Sequence, residues 1–226
     1  WVFLPAILIS LTAHLIILPL SVEIIISSSS PTTKLEAINT MLSAIGESPV
    51  NSLTSGLVDA EQAETILNSV NREVQSMGWS FNTDLKRQFV PDTNKQIQIP
   101  SNILRIDMAQ DKTDKLELVQ RGTKLYNRAS SSFFMDDDIT QVLMNAVVLL
   151  DFEDLPEAAR RYITIRAARI FQDRVVSSND LHIYQERDEL MALVELKDSD
   201  NQVLDTTIFD NYSVVSVLDR TGGGVL

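Results

Sequence analysis

Two stretches with a helical repeat of apolar residues, 34–45 and 59–77, constrain the fold most, because a glycine follows each and a short loop joins them. Apolar residues recur there every three or four positions, which predicts two α-helices that form an antiparallel hairpin. Asp59, followed three residues later by Gln62, predicts a capping box at the start of the second helix.

The apolar residues of the next region, about residues 80–152, alternate with polar residues in short runs. Turn signals such as Pro91-Asp92 and Arg121-Gly122 separate these runs, which predicts a small antiparallel β-sheet inserted after the hairpin. Residues 141–150 are compatible with either a strand or a buried helix, and their valines favour a strand.

A second pair of helices is predicted after the sheet. Pro156 suits the first turn of the third helix, which runs to about residue 176. The predicted buried face of this helix consists of Ala159, Ile163, Ala167, Ile170 and Phe171. In the fourth helix, over about 179–196, the residues predicted to point inward are Leu181, Tyr184, Met191 and Val194.

The predicted fold class is therefore α+β, with four main helices in two antiparallel hairpins, a small antiparallel sheet insertion and extended termini. Three parts are expected along the chain. Residues 1–33 are a hydrophobic extension with a Ser-rich linker, residues 34–202 form the main domain, and residues 203–226 form an extended tail.

The composition excludes several kinds of chemistry. The 226 residues include no cysteine and only two histidines, which removes disulfides, thiolate catalysis, Cys-ligated zinc and a multi-His metal site within one chain. There is also no Gly-rich phosphate loop, and no cofactor is predicted. With 31 Asp and Glu against 19 Lys and Arg, the net charge is -12. A chain this acidic is a poor general binder of phosphates.

Residues 1–26 are apolar over a length that is sufficient to cross a membrane. They contain Pro5, Pro19 and Glu23, and no Lys or Arg precedes Lys34, so the flanks typical of a signal peptide or a membrane span are missing. Three interpretations stay open: an extension produced by gene calling, a segment that packs on a partner, and a membrane or signal segment. The first is favoured.

Three motifs, in order along the chain, resemble a known family. They are IGESPV at 45–50, NREVQSMGWSFN at 71–82, and LPE at 155–157 followed by YI at 162–163 and AARIFQ at 167–172. Together they resemble tail tubular protein A, the family of head-to-tail adaptors of short-tailed bacteriophages. The resemblance covers roughly residues 34–220.

This resemblance implies a structural virion protein that is assembled in the host cytoplasm and is not an enzyme. In that family, twelve copies form a ring between the portal protein and the nozzle (tail tubular protein B), and the ring helps to dock the tail fibres. DNA passes through the ring without sequence-specific binding. Acidic side chains facing such a channel would repel the phosphates and let the duplex slide.

Five arginines make the third helix the most basic part of the chain, namely Arg160, Arg161, Arg166, Arg169 and Arg174. We expect ion pairs with Glu157, Asp173 and neighbouring acids, within or between copies. Pairing between subunits is favoured over simple solvation, and contact with DNA is the least favoured interpretation.

The apolar, β-branched stretch 206–217 is also a candidate interface, with Ile208, Phe209 and Tyr212 as its anchors. An extended segment of this kind can add a strand to the sheet of a neighbouring copy or of the portal. The alternative is a disordered end. Trp79 and Phe81 are expected to close the core where the hairpin meets the sheet, with a role as partner anchors as the alternative.

Two other functions stay open. Asp136-Asp137-Asp138 would suit Mg²⁺ or Ca²⁺, although a solvated loop is favoured, and Asp151, Glu153 and Asp154 raise the possibility of a carboxylate-based hydrolase of the tail. A membrane-anchored protein would use residues 1–26, but a membrane partner is not expected.

Overall fold

The structure, a computed structural model, describes residues 31–54, 56–109, 116–177 and 179–204, without the side chains of 179–181 and 204. The helices in these ranges are α1 (Lys34–Ala44), α2 (Val58–Ser76), α3 (Glu157–Val175) and α4 (Asn179–Leu204). The strands are β1 (Thr83–Phe89), β2 (Ile103–Met108), β3 (Leu118–Arg121), β4 (Lys124–Asn127) and β5 (Val142–Val148). Short 3-10 turns, Ser80–Asn82 and Phe152–Asp154, precede β1 and α3. The fold class is α+β, as predicted.

A capping box is present at the start of α1, not of α2. The backbone N–H of Glu36 donates to Thr33 Oγ1 at 3.2 Å, and that of Thr33 donates to Glu36 Oε2 at 2.8 Å. The backbone N–H of Thr33, and to a lesser extent its hydroxyl, which donates to Glu36 Oε2 at 2.9 Å, lower the pKa of Glu36. The predicted Asp59–Gln62 box is wrong, because Leu57 precedes α2 without any side-chain cap and Asp59 lies within the first turn.

Gly78 ends α2 in a backbone conformation that only glycine adopts without strain, with φ of +80°. A Cβ atom at this position would lie 2.9 Å from Arg105 Nη2 and 3.1 Å from Val147 Cγ2. The absence of a side chain lets Arg105 of β2 approach the last carbonyls of α2, with Nη1 3.4 Å from the oxygen of Ser76. A cation at this position is favoured by the helix dipole.

The inserted region forms two small antiparallel sheets. In the first, β5 lies between β1 and β2, and β3 pairs with β4 in the second. The prediction of a strand within 141–150 is confirmed, since β5 is the central strand and is buried at Val142, Met144 and 146–148. Residues 97–99, where apolar and polar side chains also alternate, contribute only an isolated bridge between Gln98 and Lys124.

Two groups of buried apolar side chains form the interior. One lies within the β-insertion and includes Ile97, Leu125 and Met144. The larger one joins the helices, and α3 is central to it because it packs against α1, α2 and α4. Four of the five residues predicted for the buried face of α3 are fully buried, and Ile170 is partly buried.

Buried amide groups connect α2 to the sheet. Gln75, which is fully buried, donates from Nε2 to the carbonyl oxygen of Leu150 at 2.9 Å and accepts from its N–H at 2.8 Å. Asn82 donates to the carbonyl oxygens of Gln75 and Val148 at 2.9 and 3.0 Å. These bonds satisfy backbone groups that the ends of α2 and β5 would otherwise leave unpaired.

Trp79 closes the core at this junction, as predicted. It is 8% exposed, stacks on Phe81 with ring centroids 6.4 Å apart, and donates from Nε1 to the carbonyl oxygen of Val74 at 2.8 Å.

Candidate assembly interface

Helix α4 is held against α3 by a carboxylate that lies between two guanidinium groups. Glu189 of α4 is only 9% exposed. Its Oε1 accepts a hydrogen bond from Arg166 Nη1 at 2.6 Å, and its Oε2 accepts one from Arg169 Nε at 2.5 Å. Because a buried carboxylate is costly unless it is paired, these two bonds determine which side of α4 faces α3.

Each of the two arginines also binds a second acid. Arg166 Nη2 donates to Glu73 Oε1 of α2 at 2.7 Å, and Arg169 Nη1 donates to Asp173 Oδ2 at 3.2 Å. Burial alone would lower the pKa of Arg166, but the bonds to Glu189 and Glu73 outweigh burial and raise it. The bond to Glu189 is the main reason why the pKa of Arg169 is raised. Charged side chains therefore connect α2, α3 and α4.

Two further contacts hold α4 near its ends. Close to its start, His182 Nδ1 lies 2.9 Å from Asp173 Oδ2. Close to its end, Asp200 Oδ1 accepts from the backbone N–H and the hydroxyl of Ser80 at 2.9 and 2.6 Å. With Glu189 between them, these contacts set the rotation of α4 about its own axis.

This rotation directs a row of large apolar side chains away from the core. The outer row of α4, as we call it, consists of Ile183 (63% exposed), Tyr184 (72%), Leu190 (60%), Met191 (60%) and Val194 (48%). At about 100° per residue, Ile183, Leu190 and Val194 lie within about 40° of one another. Exposed apolar patches of this kind are typical of interaction surfaces.

The predicted inner face of α4 is wrong. Tyr184, Met191 and Val194 point outward, and the side chain of Leu181 lies outside the described residues. The buried positions are Glu189, Ala192 and Leu196. Apolar residues occur on both sides of this helix, and the pairing of Glu189 with two arginines decides which side is buried. Positions 189, 192 and 196 have the spacing of one helix face, which could have indicated the buried side. The face was missed because its first residue, Glu189, is charged.

Grooves of about 420 Å³ lie on both sides of the outer row. Arg166, Ile183 and Leu190 contribute to one, and Ala44, Ile165 and Met191 to the other. The outer row therefore stands between two depressions, which gives a partner more surface to contact than a single helix would offer.

The five predicted interface arginines lie in different environments. Arg160 is buried and donates from Nε to the carbonyl oxygen of Leu155 at 2.7 Å and from Nη1 to that of Thr32 at 3.0 Å, with Nη2 on the carbonyl oxygen of Glu153. Its role within the chain is thus to hold backbone carbonyls together. Arg166 and Arg169 form the intrachain pairs described above.

Arg161 and Arg174 lie on the surface. Arg161 Nη1 is 3.6 Å from Glu195 Oε2, and both side chains are more than half exposed. Arg174 has no ion pair among the residues that the structure describes. An interface role for the five arginines stays a prediction. The other three predicted anchors, Ile208, Phe209 and Tyr212, lie outside the described residues, because these stop at α4.

The remaining candidate sites show no convergence of catalytic or metal-binding groups in the described ranges. Asp136, Asp137 and Asp138 are exposed, and Asp137 pairs with Lys95 at 2.5 Å. Asp151, Glu153 and Asp154 are exposed around the 3-10 turn before α3. Within residues 31–204 as described, no three acidic or His side chains meet as a metal site, and no helix combines the length and apolarity that a membrane span needs.

An α+β fold that displays an exposed apolar helix face suits a protein that works by assembly. The family model for tail tubular proteins matches residues 35–205, so the chain belongs to the tail tubular protein family and is a structural protein of a phage tail. It is similar to "Tail tubular protein A" of Klebsiella phage KP34, with 28% identity over 176 residues that cover 77% of this chain and 91% of that protein. The resemblance inferred from the three motifs is thereby confirmed.

Proposed function

We propose that the protein is the ring adaptor between the portal and the tail nozzle of a short-tailed phage, and that DNA passes through this ring during genome ejection. Membership of the tail tubular protein family supports a place in the virion tail. The observation that carries the adaptor role is the outer row of α4, because one copy alone leaves these five apolar side chains in water.

A ring requires each copy to present two different surfaces that fit each other, so that every subunit contacts the next with the same rotation. By family resemblance, the proposed ring has twelve copies, residues 34–202 are the adaptor domain, and the tail fibres dock nearby. The portal and the nozzle protein are the proposed partners above and below. No catalytic step and no cofactor form part of this function.

The distribution of charge supports a channel for DNA. Residues 80–150 contain nine bases and nine acids, so the whole net charge of -12 lies in the helical part and the termini. A ring lined by acidic helices would repel the phosphates and keep the duplex from adhering, whereas a basic wall would hold it through many phosphate contacts. A ring whose lumen is lined mainly by Lys and Arg would contradict this part of the proposal.

Imaging of the purified full chain, alone and mixed with its portal protein, tests the adaptor role. We expect closed rings that stack on the portal. A chain that remains monomeric in both samples would refute the proposal.

The surface arginines provide a separate test of pairing between subunits. If Arg161 and Arg174 pair across subunits, ring assembly should weaken as salt is raised, and Arg161→Gln with Arg174→Gln should remove that dependence. Unchanged salt dependence in the double variant would show that these two arginines do not pair between subunits.

A further inference from the structure

We infer that the outer row of α4 is covered by a second copy of this chain, which meets it with a different surface. This inference rests on the proposed function, because it names the contact through which the ring would close. Three observations lead to it: the size of the row, the charges around it, and the charges of the two terminal segments in the sequence.

The outer row is large enough to form the centre of a subunit contact. Its five side chains expose roughly 100 Å² each, or about 500 Å² together, which is near the largest apolar patch of a typical monomer. A stable interface buries about 800 Å² on each partner. The row and the two grooves beside it supply an area of this order, with the apolar part central and the polar part at the edge.

The charges around the row decide against pairing of α4 with α4. Residues 179–204 contain seven acids and two bases, and three of the acids are bonded within the chain, namely Glu189, Glu195 and Asp200. The exposed acids Glu186, Asp188 and Asp198 outnumber the exposed bases Arg187 and Lys197, and none of these five has an ion pair among the described residues. Two such helices face to face would bring like charges together, which costs free energy. A complementary surface combines apolar side chains with bases.

This chain has surfaces of that composition elsewhere. On β1, Leu85 is 73% exposed and is followed by the exposed Lys86. At the end of α3, Val175 and Val176 are 43% and 42% exposed and follow the exposed Arg174. A second copy can therefore offer an apolar and basic face to the acidic edge of the outer row.

The termini of the same chain lack the charge that the row requires. Residues 205–226 contain three acids and one base, and residues 1–30 contain one acid and no base. Either segment would bring apolar side chains to the row but no excess of positive charge. The acidic edge therefore favours a second copy over a segment of the same chain.

The absence of cysteine from the sequence allows a direct test with single thiols. Met191→Cys places a thiol in the outer row, and Phe134→Cys places one at a residue of similar exposure, 59% against 60%, in the loop before β5. The rate of maleimide labelling is measured in the full chain over a range of protein concentrations, and the mass distribution of each sample is recorded in parallel. Where rings form, labelling of Met191→Cys should slow by about tenfold or more, because the centre of an interface excludes water, while Phe134→Cys should change little.

Each other outcome overturns the inference in a recognisable way. Protection that is the same at all concentrations would mean that the chain covers its own row. Rings in which Met191→Cys stays fully reactive would show that the outer row is not the contact between subunits. The proposed ring itself would still stand. Efficient joining of two Met191→Cys thiols by a short bismaleimide would show that two α4 helices face each other. A chain that forms no ring, even with the portal, would instead refute the proposed function.

A charge in the row gives a second measurement that does not depend on labelling. Leu190→Glu should prevent ring formation and leave the thermal unfolding midpoint unchanged, because Leu190 is exposed in the single copy. Phe134→Glu, which introduces the same charge at an apolar side chain of similar exposure (59% against 60%) before β5, is the matched control and should still form rings. Rings of normal stability from Leu190→Glu would overturn the inference.

Discussion

Substitution of Glu189 tests whether the charged contacts on α3 fasten α4 in the orientation described. Glu189→Ala removes the carboxylate that both Arg166 and Arg169 bind, while Glu73 and Asp173 remain as second partners of the two arginines. The variant thus leaves two partly buried guanidinium groups with one acid each. The packing of Ala192 and Leu196 against the core is not altered directly.

The size of the effect follows from burial. Removing one partner of a fully buried ion pair costs about 3–5 kcal/mol. Here the side chains of Arg166, Arg169 and Glu189 retain 23%, 19% and 11% exposure, so water partly screens the charges. With the second acids still present, we expect a loss of about 2–3 kcal/mol, and in a chain of this length that corresponds to a fall of roughly 5–10 °C in the unfolding midpoint.

Urea unfolding followed by circular dichroism measures this loss, with Glu186→Ala as the matched control. Glu186 lies on the same helix, is exposed, and has no ion pair in the described ranges, so its removal should change stability by no more than about 0.5 kcal/mol. If Glu189→Ala were no more destabilising than Glu186→Ala, the charged contacts would not hold α4, and the explanation for the outward direction of its apolar row would be wrong.

Three other substitutions test separate parts of the fold. Gly78→Ala should destabilise the fold by about 1–3 kcal/mol in urea unfolding, because this position combines a positive φ with close contacts. Gly46→Ala is the control: with a φ of +84° and no atom within 4 Å, it should show only the smaller cost of placing alanine at a positive φ. Gln75→Leu should cost about 1–3 kcal/mol and speed hydrogen exchange at the N–H of Leu150, since the partly buried N–H and C=O of Leu150 lose their partner. An unchanged exchange rate at Leu150 would contradict this. The pKa of Glu36 is lowered from 4.5, so its stabilising effect is complete above pH 4.5 and is lost as the pH falls through the lowered pKa. Glu36→Gln should therefore flatten the dependence of stability on pH below 4.5, and an unaltered slope would show that the capping carboxylate contributes nothing.

The helices and the central strand could be predicted from sequence because their local patterns agree with their tertiary contacts. In α1 the apolar repeat points to one side only, and that side is buried. In α3 the predicted apolar positions are buried because the helix packs against α1, α2 and α4. The valines of β5 likewise suit a strand that is covered on both edges. Gly46 and Gly78 follow the ends of α1 and α2 as expected, since glycine is the residue that takes a positive φ most readily.

The orientation of α4 could not be predicted, because it depends on charges from another helix. Read alone, this helix offers two apolar faces, and the rule that large side chains go inside selects Tyr184 and Met191. Only the positions of Arg166 and Arg169 on α3 show that Glu189 belongs inside. The capping box was misplaced for a related reason: Thr33 with Glu36 carries the same pattern as Asp59 with Gln62, and nothing local distinguishes the two.

Thr32 has a mechanical consequence for the particle. Its backbone N–H and hydroxyl donate to Glu157 at 2.8 and 2.6 Å, and its carbonyl oxygen accepts from Arg160 at 3.0 Å, so both ends of this residue are tied to the first turn of α3. A pulling force applied at Thr32 would therefore load the first turn of α3 together with α1, because the same residue bonds to α3 and leads into α1.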